Sequence, residues 1–192
     1  SLAVLLAVLM GILDMTIVNV ALPDMMGTLG ATPDQITWVL TSYIVAEAIV
    51  IPMSGFLAER FGRKRVLTVS VAGFVVSSML CGQSHSLMQM VIFRLLQGAF
   101  GASVVPLSQA TMVDSFEPEK RGKAMAIWGI GVLLGPIMGP TVGGFITDHL
   151  GWQWVFYVNL PIGIINLLLI AAYIKATPHS GSPIDWLGAA LL

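Results

Sequence analysis

Six apolar runs, at residues 2–22, 37–57, 66–82, 87–113, 124–147 and 155–174, take up most of this chain and leave it little choice of fold. A helix rises about 1.5 Å per residue, so some 20 apolar residues cross a bilayer core of about 30 Å. The runs are continuous and not alternating, which favours spanning helices over barrel strands. Turn signals stand between them: Pro23, Gly30 and Pro33; Gly62; Gly82 and Ser84; Pro118; Gly151; and Pro178, Gly181 and Pro183. Only 10% of the residues are charged, against roughly 25% in a soluble domain, so the chain cannot cover a water-facing surface. The expected fold is an all-α integral membrane protein. Residues 1–176 form a six-helix bundle, and residues 177–192 form a linker and the start of a seventh helix near Asp185. Ser1 is not a start methionine and Leu192 ends inside an apolar run, so both ends read as cut.

Lysine and arginine orient the bundle. Arg60, Arg63, Lys64 and Arg65 lie between runs two and three, and Lys120, Arg121 and Lys123 between runs four and five. Lys175 follows run six, and the other connections carry no Lys or Arg. The N-terminus, both basic loops and the segment after run six are therefore expected in the cytoplasm. Trp38, Trp152 and Trp154 then fall at the external interface, as in an aromatic belt. A basic loop after the second of three spans, then after the first of the next three, suits a three-plus-three inverted repeat.

Several function classes drop out. A net charge of −1 leaves no basic footprint for nucleic acid. One cysteine, Cys81, forms no internal disulfide or cysteine-based metal cluster, and His85, His149 and His179 share no ligand spacing. No nucleophile–base pair is evident, so an enzyme is not expected. The first run lacks the basic start and cleavage site of a signal peptide.

Three ionisable residues lie inside apolar runs: Asp14, Glu47 and Arg94. A charge at membrane depth costs several kcal/mol and usually marks a pathway. Counting helical rise from the outer end of each run, Asp14 lies about 12 Å down, Glu47 about 15 Å and Arg94 about 10 Å, within a turn or so of a common level. Arg94 can pair with Asp14 or Glu47, and an acid left unpaired could carry a proton near neutral pH. A permanent ion pair that only locks helices together is the competing reading. Polar cavity contacts are expected from Asn19, Tyr43, Gln97, Gln109 and Trp128, each of which could equally be a helix–helix hydrogen bond or an interface anchor.

Gly131, Gly135, Gly139 and Gly143 recur every fourth residue in run five, with Pro136 and Pro140 between them. That stripe lets another helix approach closely, and the prolines remove backbone donors and bend the helix, as in a gate; a packing interface with no moving role is the competing reading. The loop from Gly55 to Arg65, through Glu59, Arg60, Gly62, Arg63 and Lys64, reads either as a positive-inside anchor or as a latch in which Glu59 and Arg63 engage neighbouring helix ends such as Asp114.

These motifs resemble a known family. The Gly55–Arg65 loop is similar to the signature loop between helices two and three of the major facilitator superfamily, with Glu59 where the family usually has Asp. Arg94-Leu95-Leu96-Gln97-Gly98 resembles its fourth-helix arginine motif, linked to proton coupling, and Gly131 to Gly144 resembles the fifth-helix antiporter motif of exporters. Leu13 to Pro23 (LDMTIVNVALP) and Gly151 to Gly163 (GWQWVFYVNLPIG) resemble motifs of drug:proton antiporters in the fourteen-helix branch, the EmrB/QacA-like multidrug efflux proteins. Asp185-Trp186-Leu187-Gly188 resembles that family's start of helix seven.

The resemblance implies the N-terminal half of a multi-pass transporter of a bacterial cytoplasmic (inner) membrane. Such a transporter exports hydrophobic or cationic drugs by alternating access with the proton as coupling ion and no other cofactor. Asp14, Arg94 and Glu47 are the implied coupling groups. A C-terminal half of the same transporter completes it, the lipid bilayer surrounds it, and a periplasmic adaptor with an outer-membrane channel is an implied partner set. A proton-coupled importer of a polar metabolite, or a non-transporting scaffold or sensor, are the alternative readings.

Overall fold

The computed structural model describes residues 2–174. These hold six long apolar helices: α1 (Leu2–Leu29), α2 (Pro33–Phe61), α3 (Arg63–Gly82), α4 (Leu87–Asp114), α5 (Pro118–Leu150) and α6 (Trp154–Tyr173). No strand occurs among the described residues. Lys175, His179, the linker at 177–192 and the seventh-helix start near Asp185 lie outside them.

Each helix-breaking signal acts differently in place. Pro23 does not end α1, which runs on to Leu29 and stops where Gly30 adopts φ 63°. A proline removes a single backbone bond, to the residue four before it. Beyond it Met25 is fully buried among Ile36, Val39 and Trp152, which holds the extra turn in helix. Pro52 shifts α2 into a short 3-10 turn, Ile51–Met53. In α4, Pro106 cannot donate to the carbonyl of Ala102, and the helix is interrupted at residues 102–103. Helix α5 stays α-helical from Arg121 to Leu150 through both of its prolines, which sit on its uncovered side. Thr32 and Gln35 form a reciprocal capping box at the start of α2.

Packing follows a pattern of exchange. Helix α1 lies most extensively against α5, and α2 against α4; α3 packs on α4 as α6 packs on α1. Exchanging α1 with α4, α2 with α5 and α3 with α6 maps these contacts onto themselves, as an inverted three-plus-three repeat requires. Two apolar clusters form the interior. One includes Met10, Tyr43, Leu67, Phe74 and Ile170; the other includes Ile17, Val39, Met90, Trp152 and Phe156. Trp38 and Trp154 are about half exposed, but Trp152 is buried edge-on against Phe156 at 6.4 Å, so it is a core residue and not part of the aromatic belt expected at that end.

Candidate functional site

Asp14 of α1 and Arg94 of α4 meet at the junction of the two apolar clusters. Arg94 Nη1 donates to Asp14 Oδ2 at 2.6 Å and to Gln97 Oε1 at 2.7 Å, and Arg94 Nε donates to the Val39 carbonyl at 3.1 Å. The other carboxylate oxygen, Asp14 Oδ1, accepts from Gln97 Nε2 at 2.9 Å and from Asn159 Nδ2 at 2.6 Å. Asn159 Nδ2 also donates to Ser78 Oγ at 2.9 Å, and that hydroxyl donates to the Phe156 carbonyl at 2.9 Å. The Cys81 thiol approaches Gln97 Oε1 at 3.7 Å. Five helices, α1 to α4 and α6, thus contribute to one network around this carboxylate. Asp14 is 1% exposed and Arg94 0%, so both charges depend on these partners and not on water.

The guanidinium is not fully satisfied. Arg94 Nη2 has no hydrogen-bond partner among the described residues. Its guanidinium carbon lies 4.3 Å from the centre of the Tyr43 ring and 5.9 Å from that of Phe156, so aromatic faces take the place of an acceptor.

Glu47 is not at this level. Helices α2 and α4 run the same way; Arg94 bonds to Val39, and Gly98, four residues on, packs against Tyr43. Glu47 lies four residues beyond Tyr43 and eight beyond Val39, a rise of about 12 Å. The expected common level therefore holds for Asp14 and Arg94 and fails for Glu47, because α2 and α4 do not begin at the same depth. Glu47 has no ion pair or hydrogen bond to its side chain among the described residues. It lines a cavity of about 240 Å³ together with Met10, Gly11, Met15, Tyr43, Phe74 and Trp128. Asp14, Arg94 and Gln97 are absent from that lining.

Close helix approach holds both regions in place. A Cβ built on Gly98 would fall 2.3 Å from the Tyr43 carbonyl oxygen, so only glycine lets α4 come this near the backbone of α2. On the symmetry-related interface, a Cβ on Gly139 would fall 2.0 Å from Thr16 Oγ1; Gly135 meets Ile12 and Gly143 meets Ile17. Gly131 meets only Leu5. Pro136 and Pro140 face away from this seam.

At the basic end, Gly62 takes φ 84°, a conformation that favours glycine, and turns α2 into α3. Arg63 then forms an ion pair with Asp114 at the end of α4. Lys64 Nζ donates to the Ala171 carbonyl in the last turn of α6 at 2.8 Å, where a cation complements the helix dipole. Arg60 lies over the Phe61 ring at 5.6 Å. Glu59 and Gly55 are exposed and touch none of these groups.

A profile of the Major Facilitator Superfamily matches residues 4–185. This chain belongs to that superfamily. It is 47% identical over its whole length to the multidrug export protein EmrB of Haemophilus influenzae, covering 38% of that protein. It is 43% identical to the fatty acid resistance protein FarB of Neisseria gonorrhoeae, over 97% of this chain and 37% of that one. The EmrB of Escherichia coli K12 is 40% identical over the whole chain, again covering 38% of the relative. The chain therefore spans well under half the length of these relatives. Among solved structures, the peptide transporter POT superimposes with a TM-score of 0.83 at 14% identity, over 99% of this chain and 42% of that one. The proton:xylose symporter XylE does so with 0.79 at 16%, over 93% and 44%. These two likenesses speak for the fold.

Within this superfamily member the expected cavity contacts divide. Tyr43 and Trp128 line the cavity. Gln97 is wholly buried in the charge network. Asn19 and Gln109 are exposed and line no part of the cavity. Asn159 and Ser78 belong to the network and were not singled out as site residues from the sequence. Their signal was faint: Asn159 and Asn166 stand seven residues apart on one face of apolar α6, and both are buried.

Proposed function

We propose that this chain is the N-terminal half of a proton-coupled antiporter that exports hydrophobic or cationic compounds across the inner membrane of a bacterium. Its N-terminus and basic loops lie in the cytoplasm. Residues 1–176 form the first bundle, and residues 177–192 lead to a seventh helix and the C-terminal half of the same transporter. The names of the EmrB and FarB relatives support export of toxic compounds. A periplasmic adaptor and an outer-membrane channel are the partner set to test.

The observation that carries the reading is the buried carboxylate of Asp14, held by three donor side chains from two other helices, α4 and α6. A proton on Asp14 would cancel the charge that holds Arg94 and place an O–H donor on a carboxylate whose two oxygens both accept from N–H groups here. The network then favours a different arrangement of α1, α4 and α6. That gives the proton differential affinity for two states, the condition for driving alternating access. Gly98, the Gly135–Gly143 stripe and the Arg63–Asp114 pair are the joints across which helices would move. The stripe's likeness to the antiporter motif favours export over import.

Proton-gradient-driven efflux of a lipophilic dye from vesicles carrying the full-length protein tests this, beside Asp14→Asn and Arg94→Ala at matched insertion. Loss of gradient-driven efflux in both supports coupling through the network. Unchanged efflux reduces the pair to structural glue, and gradient-driven uptake would establish an importer.

A further inference from the structure

The two acids inside the bundle have different surroundings. Asp14 is sealed: both of its oxygens are occupied, and its charge is matched by Arg94. Glu47 is half-buried, about two helical turns deeper, and opens onto the cavity. Every other side chain of that lining is uncharged, and most are apolar. Three aromatic residues, Tyr43, Phe74 and Trp128, contribute to the same lining. The nearby positive charge, on Arg94, lies outside the lining and is held against Asp14, with the Tyr43 ring against its guanidinium.

We infer that the cavity between α1, α2, α4 and α5 is a binding site for an organic cation, in which Glu47 sets the preference for positive charge. This rests on the export reading above and gives that reading a substrate class and a specificity-determining residue. The physical reason is compensation. A desolvated monocation in an apolar cavity needs a counter-charge, and the lining supplies one, on Glu47. With the Tyr43 ring engaged by Arg94, Trp128 is the lining residue assigned to add cation–π attraction, which strengthens when water is excluded. An uncharged molecule of the same shape gains the apolar contacts and nothing from the carboxylate. Charge discrimination is thus assigned to Glu47 and proton coupling to Asp14, with a separate residue for each task.

The test is equilibrium dialysis of full-length protein in lipid nanodiscs, with empty discs subtracted, at mildly alkaline pH. The probes are phenyltrimethylammonium and its uncharged isostere tert-butylbenzene. Wild type should prefer the cation. Glu47→Gln should weaken cation binding at least tenfold, about 1.4 kcal/mol, and leave the isostere within about twofold, while Glu47→Asp retains the preference. Trp128→Leu should weaken the cation more than the isostere. Gradient-driven efflux of a neutral lipophilic dye should fail in Asp14→Asn. The inference is overturned if wild type shows no cation preference, if both probes weaken equally in Glu47→Gln, or if neither changes. If Glu47→Gln abolishes neutral efflux while cation binding is untouched, Glu47 is a coupling residue, and export stands without this assignment. If wild type moves no solute under a gradient yet binds the cation through Glu47, the site stands and the transport reading falls.

Discussion

Removing Arg94 alone should cost about as much as removing both members of its pair. In Arg94→Met the Asp14 carboxylate keeps its amide donors, Gln97 and Asn159, and loses its only cation within 4 Å among the described residues. A buried pair broken by loss of one partner typically costs about 3–5 kcal/mol, because the remaining charge is left uncompensated. With the ion desolvated on all sides here, the upper part of that range is expected. Asp14→Asn strands Arg94 less completely, since Gln97 Oε1, the Val39 carbonyl and the Tyr43 ring remain; about 2–3 kcal/mol is expected, in line with losing a hydrogen bond to a charged group. The double variant holds no buried charge at this level, so its cost should fall short of the sum by about 2 kcal/mol, within the range seen for contacting residues. The assay is a double-mutant cycle on full-length protein, by denaturant unfolding in mixed micelles. Additive single costs, with coupling under about 0.5 kcal/mol, would refute the claim that Asp14 and Arg94 are energetically one unit.

Further predictions concern the helix joints. Gly98→Ala should destabilise by about 1–3 kcal/mol, as overpacking does, and no side-chain change on α2 should rescue it, because the obstacle is the Tyr43 carbonyl. Gly139→Ala should be rescued in part by Thr16→Ala, because there the obstacle is a side chain; thermal melting of the four variants separates these cases. Arg63→Ala should cost less than about 1 kcal/mol of stability, being a half-exposed ion pair, and the exchange Arg63→Asp with Asp114→Arg should restore whatever transport rate the single change removes. Both single changes should matter less at high salt, since exposed pairs are screened; an effect that grows with salt would contradict the latch geometry.

What was legible in the sequence, and what was not, follows from the physics of each signal. The spans were legible because hydropathy is additive along a helix and needs no tertiary information. That a buried arginine seeks a buried acid was legible too, since isolated charges are excluded from the membrane interior. Which acid it takes was not. Depth counted from the ends of apolar runs put both acids within about a turn of Arg94, and only the contact of Gly98 with the backbone of Tyr43 fixes how α4 slides against α2. That single close approach sets the register. It brings Arg94 level with Val39 and leaves Glu47 two turns away at the cavity wall. Gln97 read as a cavity contact because polar residues in spanning helices often are; three residues after Arg94 it shares the same helix face, and it is drawn into the network instead. Asn159 stayed hidden for a related reason. An amide on an apolar helix has no charge to demand a partner, so its importance shows only once α6 is seen to carry it to within 2.6 Å of the Asp14 carboxylate. The glycine at position 98 therefore does more than permit packing: by fixing the slide of α2 on α4 it determines which acid is matched by arginine and which remains free to meet a solute.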